Sequence, residues 1–192
     1  MSEEEAAEAR AAGQAVGEYG AKVSALLSQL ADLRAAAPPG APPPKAVVFS
    51  QWGRLLRLVG GALKDNGIPY AAMMGTSQSA RESALSRFQH DPDCPVLLLL
   101  MSNSSGAAGL TLTCATTAFI LEPPLNPGLE AQAAARIHRL GQERPTRVVR
   151  LVTQDTVEDN VLAYSAWRQQ EGGASGSAPN GGARGGGGGG EP

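Results

Sequence analysis

Three residues recur at helical spacing in the stretch "NPGLEAQAAARIHRLGQERPT": Gln132, Arg136 and Arg139. At about 100° per residue they fall within about 60° of one another on a helix surface. A guanidinium is permanently charged and grips phosphate oxygens through two parallel N–H bonds. A glutamine beside two arginines adds a neutral donor and acceptor. The stripe therefore has the chemistry of a phosphate clamp. A second explanation stays open: basic side chains in a helix's last turns gain about 0.3–1 kcal/mol each from the macrodipole. That accounts for Arg136, His138 and Arg139 but leaves Gln132 in register unexplained. His138 points about 240° away from Gln132, so it is expected to be a structural or interface histidine.

The helix carrying the stripe has its own signals. Asn126 is a good N-cap, Pro127 suits the first helical position, and Gly141 suits the residue just past the end. Leu129, Ala133, Ile137 and Leu140 form an adjoining apolar face expected to pack on a sheet. Upstream, strands and helices alternate. "KAVVFS", "IPYAAMM", "PVLLLLM", "TAFILEP" and "RVVRLVT" are strand-sized. Between them lie "QWGRLLRLVGGALKDNG", closed by Asn66-Gly67, and "SQSARESALSRFQHD", with Ser77 or Ser79 as N-cap and Leu85 and Phe88 inward. An amphipathic helix with Val23, Leu26, Leu27, Leu30 and Leu33 on one stripe precedes them, and "TVEDNVLAYSAWRQQ" follows as a last helix. Such alternation predicts an α/β domain with a largely parallel sheet and right-handed crossovers.

Ligands of such sheets bind beyond the carboxyl ends of the strands. That points to Ser50–Gln51, Gly75–Ser77, the small-residue loop "SNSSGAAG" (Ser102–Gly109), Glu122–Asn126 and Thr153–Thr156. Glu122 either takes part in function there or hydrogen-bonds a loop. Trp52 and Trp167 are expected to pack. Cys94 and Cys114 stand far apart without zinc spacing and read as small buried hydrophobes.

Both ends are compositionally poor: residues 1–18 are rich in Ala and Glu, and residues 171–192 hold 11 of the 24 glycines. They are expected to be disordered tails flanking one domain, residues 19–170. That span carries 14 Lys/Arg against 11 Asp/Glu, a formal +3, although the whole chain is −2. A mildly basic body permits a polyanion partner. No apolar run approaches a membrane span and the N-terminus lacks a signal-peptide pattern, so a soluble intracellular protein with no membrane partner is expected.

The spacing Gln132-xxx-Arg136-xx-Arg139 resembles motif VI of the superfamily-two helicases. The string "RIHRLGQERPTRVVRLV" narrows this to the second RecA-like lobe of the Swi/Snf-type, helicase-like, DNA-dependent ATPases. "KAVVFSQW" resembles their motif IV. "SSGAAGLTLT" and then "ATTAFILEPPLNPGLEAQAAARIHRLGQ" resemble motifs V and VI in order, and "DTVEDNVL" resembles the segment closing the lobe. "LEPPLNP", where the wider family carries two tryptophans before Asn-Pro, is most similar to the linker-histone/PHD/RING helicase-like ubiquitin ligases.

The resemblance implies a three-layer α/β/α RecA-like lobe with helices on both sheet faces. It implies that Arg139 first, and Arg136 second, act as fingers on the γ-phosphate of ATP, with Gln132 orienting phosphate or water. Gly106, Gly109 and Glu122 would couple the nucleotide to the nucleic-acid track, and Ser50, Gln51 and Ser102 would touch the DNA backbone. Ser104 and Ser105 stand where many relatives carry Lys-Ala, so one DNA-facing charge is absent. ATP and Mg²⁺ would be held mainly by a first lobe: this sequence has neither a G-x-x-x-x-G-K-[ST] loop nor an Asp-Glu pair after a strand. The implied partners are that first lobe and double-stranded DNA or chromatin, and the implied location is the nucleus. The isolated chain is expected not to hydrolyse ATP, and no RING-type Cys/His cluster is present. Two other readings stand beside this one. One is a non-catalytic chromatin or protein interaction module that keeps the lobe fold. The other is an unrelated nucleotide- or sugar-phosphate-binding α/β enzyme, disfavoured because no glycine loop follows the first strand.

Overall fold

In the computed structural model, residues 16–38, 43–74, 77–101 and 110–174 are described. Five strands run parallel in the order β2-β3-β1-β4-β5: β1 Lys45–Ser50, β2 Tyr70–Met73, β3 Val96–Leu100, β4 Ala115–Ile120 and β5 Arg147–Arg150. The helices are α1 Ala21–Ala35, α2 Gly53–Asp65, α3 Gln78–His90, α4 Pro127–Ile137 and α5 Val157–Ala174.

The central strands are apolar on both sides because helices cover both sides. Ala46, Val48, Leu98 and Phe119 face one layer, against Leu26 and Leu30 of α1 and Leu56, Val59 and Leu63 of α2. Val47, Phe49, Leu97, Leu99 and Ile120 face the other, against Phe88 of α3 and Ala133 and Ile137 of α4. The expected three-layer sandwich is thus present, with every strand pairing parallel.

Local signals set the ends of these elements. The hydroxyl of Ser77, rather than Ser79, caps α3 by accepting from the Ala80 amide at 3.5 Å. At the end of α2 the Ile68 amide donates to Leu63 and the Gly67 amide to Lys64, with Gly67 at φ +65°. That is a left-handed glycine closing the last turn. Lys45 donates to the carbonyls of Phe88 and Asp91, placing its charge at the negative end of α3.

The described residues begin at Val16, three residues before the expected boundary at residue 19. Val16 is buried, and its amide and carbonyl both pair with the Asn66 side chain. Helix α4 ends at Ile137, so Gly141 (φ +96°) belongs to a turn four residues further on. Leu140 therefore loses the helical register and is 100% exposed rather than packed on the sheet. Trp52 and Trp167, expected to pack, are 65% and 50% exposed, and Trp167 lies against Tyr164 with ring centroids 5.8 Å apart.

Candidate functional site: two edges of one sheet

The connection leaving β1 runs over one face toward β2, and that leaving β4 runs over the other toward β5. The crevice of a parallel sheet opens between two such strands, at their carboxyl ends. Ser50 and Gln51 close β1 there, and Glu122 stands two residues past β4.

The structure fills this crevice with a hydrogen-bonded knot. The Ser50 hydroxyl lies 2.9 and 3.1 Å from the two carboxylate oxygens of Glu122, and the Gln51 amide also donates to that carboxylate. The Trp52 amide donates to Ser50 Oγ at 2.9 Å. Ser50 is fully buried and Glu122 is 7% exposed. Burial pushes the Glu122 carboxyl above its ordinary range, and the Gln51 and Ser50 hydrogen bonds and nearby Lys22 pull it back only in part. Of the two roles open to Glu122, the loop-holding one is what the geometry displays. The hydroxyl of Ser50, expected on a DNA backbone, is occupied in holding Glu122. Gln51 is half-buried at the same edge. Close by in charge, Lys22 of α1 forms an ion pair with Glu158 of α5, whose second oxygen accepts the Thr153 amide at 2.9 Å.

The arginines lie elsewhere. Helix α4 starts after the carboxyl end of β4 and runs back along the sheet for 11 residues, about 16 Å at 1.5 Å each. Its last turn consequently sits where the strands begin, not at their tips. Arg136 is half-buried and its Nη1 donates to the Leu110 carbonyl at 3.5 Å. Arg139 is exposed, beyond the last helical residue, with Nη1 3.3 Å from Thr111 Oγ1. Gln132 is exposed one turn earlier. Neither guanidinium is splayed away from the protein: both are anchored on residues 110–111. The same segment is held by the Leu112 amide on the Arg136 carbonyl (2.9 Å) and by Gln89 Nε2 on the Thr111 carbonyl (3.0 Å).

Gly106, Gly109 and Ser102 lie outside the described residues, between Met101 at the end of β3 and Leu110 against Arg136. His138 caps α4 and its Nδ1 is 3.2 Å from Thr146 Oγ1, which fits the structural role expected of it. Both cysteines are free, Cys94 buried and Cys114 half-buried, and burial raises both thiols.

Residue types alone did not reveal Gln142. Its Nε2 lies 3.0, 2.9 and 3.1 Å from the carbonyls of Thr113, Ala115 and Ile137, and its Oε1 accepts the Arg144 amide. A lone glutamine after a turn glycine gives no periodicity to notice. Lys22 and Glu158 were invisible for another reason, standing 136 residues apart.

A five-stranded parallel sheet covered on both faces, with Arg136 on the helix after β4 and Arg139 on the turn that follows it, defines a RecA-like lobe. The chain belongs to the family of the helicase conserved C-terminal domain, whose model matches residues 22–141. It is similar to DNA repair protein rad8 of Schizosaccharomyces pombe, 42% identical over 142 residues, 73% of this chain and 12% of that protein. DNA repair protein RAD5A of Arabidopsis thaliana is 37% identical over 150 residues, 78% of this chain and 14% of that one. E3 ubiquitin-protein ligase SHPRH of Homo sapiens is 37% identical over 147 residues, 77% and 8% respectively. These are helicase-like proteins of the Swi/Snf type, as the motifs implied, and the chain spans about an eighth of the length of the first two. Among solved structures, the C-terminal part of the Fun30 ATPase domain superposes with a TM-score of 0.60 at 25% identity, covering 64% of this chain and 39% of that one. Among the described residues no helix is long and apolar enough to cross a membrane.

Proposed function

We propose that this chain is the second motor lobe of a nuclear, DNA-dependent ATPase or translocase that works in DNA repair or chromatin remodelling. The observation carrying this reading is the anchoring of Arg136 and Arg139 on residues 110–111 at the edge where the strands begin. Held there, the two guanidiniums are displayed to a triphosphate bound by a first lobe. Arg139, the more exposed, is the finger; Arg136 and Gln132 support it. Guanidinium charge opposes the negative charge that builds on the transferred phosphoryl oxygens.

The donor set, two guanidiniums and a side-chain amide, suits phosphate oxygens. Bound Mg²⁺ would neutralise phosphate charge from the first lobe. Gln51 and Ser102 touch the backbone of double-stranded DNA, and Gly106 and Gly109 couple the nucleotide to that track. By itself the chain is expected to turn over no ATP.

The test joins this chain to a first lobe carrying a phosphate-binding loop. Arg139→Ala then lowers DNA-stimulated ATP turnover by about 10³-fold, as loss of an arginine finger does, while DNA affinity stays within about twofold because the finger faces nucleotide rather than DNA. Unchanged turnover rules the reading out.

One observation favours the second reading, a non-catalytic interaction module. Val157, Tyr164 and Trp167 project from α5 and are all exposed, the two rings 5.8 Å apart. That reading predicts indifference to Arg139→Ala and loss of a protein or chromatin partner on Trp167→Ala.

A further inference from the structure

Arg139 lies outside α4, so the helix does not fix it. The last α4 hydrogen bond is from the His138 amide to Ala134, and the next turn is closed only by the Gln142 amide on Arg139. Something else must hold this turn against the sheet. Gln142 Nε2 is the point where three carbonyls meet: Ile137 from the end of α4, Thr113 from the approach to β4, and Ala115 from its first residue. Two N–H bonds shared among three acceptors make position 142 an obligate donor. Oε1 then fixes the Arg144 amide, and Arg144 Nη2 reaches the Cys114 carbonyl at 2.6 Å. The stretch 113–115 stitched to Gln142 and Arg144 continues directly from residues 110–111, on which Arg136 and Arg139 rest.

We infer that Gln142 is a positioning residue: it locks the Arg139 turn to the 110–115 segment so that finger and segment move as one body. This rests on the motor-lobe reading for its catalytic consequence, but the mechanical part stands without it. The side-chain amide is the active feature, not its bulk. Gln142→Glu keeps the shape and places a carboxylate against three carbonyls, whereas protonation of that carboxyl at low pH restores one donor.

Two arms test this. In the full 192-residue chain, amide hydrogen exchange is compared between wild type, Gln142→Glu and Gln142→Ala. The Leu112, His138 and Gln142 amides are expected to exchange about tenfold faster in both variants while β1 amides hold. In Gln142→Glu the difference shrinks as pH falls through the carboxyl's raised range. Unchanged exchange at those amides overturns the inference, whatever the activity. In the second arm, the chain joined to a first lobe is assayed for ATP turnover. Gln142→Glu is expected to lower kcat about tenfold with KM for ATP moved less than about threefold, since small misplacement of a positioned group costs rate. In an Arg139→Ala background it should cost nothing further, because the two act through one group. A full additional loss there assigns Gln142 to general stability and overturns the positioning role. If the wild-type pair itself is inactive, the motor-lobe reading fails while the exchange arm still decides the lock.

Discussion

Glu122 shows how one residue can be legible in type and illegible in role. Its place after an apolar strand marked it as standing at the ligand-binding edge, and the structure puts it there. Its partners, 71 and 72 residues away, came only with the fold. Because burial raises its carboxyl, the folded protein binds this proton more tightly than the unfolded chain. Its contribution to stability is therefore full below the ordinary carboxylate range and is lost as pH rises through the raised value. Glu122→Gln should flatten that dependence, with stability near neutral pH held or improved, since the amide oxygen still accepts from Gln51 and Ser50. Urea unfolding across pH reads both. Glu122→Ala, in contrast, strands the buried Ser50 hydroxyl and Gln51 amide and should cost about 1–3 kcal/mol at acid pH, less as pH rises through the raised value. The arginines were legible differently: spacing gave their common side, while the early end of α4, which moves Arg139 onto a turn, carried no sequence signal because Gly141 looked like a good helix stop.

Among the elements, strands and helices were readable wherever apolar period and end signals agreed. Asn66-Gly67 stopped α2 as expected, and Ser77 started α3. The stripe of α4 failed at Leu140 because 3.6-residue periodicity has meaning only while the helix lasts. Helix α2 also carries an unforced weakness. Gly60 lies against Tyr70, where an added methyl would come within 2.8 Å of the phenol oxygen, but Gly61 next to it is exposed and an added methyl would meet nothing within 4 Å. Gly61→Ala removes backbone freedom from the unfolded chain and suits a helix interior, so a gain of about 0.5–1 kcal/mol is expected in denaturant midpoints. A loss would mean that α2 is not helical at Gly61 in solution.

At the scale of the molecule, the layers were legible because continuous apolar strands require cover on both faces, whereas the division of the site between two ends of the sheet was not. It follows from α4 returning across the sheet, which residue types do not encode. Stability is uneven. The central strands are buried, but no residue of α5 from Val157 to Arg168 is; the helix is tied on by the Lys22–Glu158 pair and by Ser165 on the Pro124 carbonyl at 2.9 Å. Its amides should exchange well before those of β1 and β3, and Lys22→Ala should widen the gap. Among the described residues no strand pairs with the outer side of β5, where Arg147 and Arg150 bracket two valines. Arg150 is held through Nε and Nη2 by the Glu130 carboxylate of α4, so it is Arg147 that would meet its like if a second molecule tried to extend the sheet from this side. Replacing Arg147 with valine should therefore turn a clear solution turbid on gentle warming, with thioflavin-positive fibrils growing from a border that charge otherwise keeps closed to its own kind.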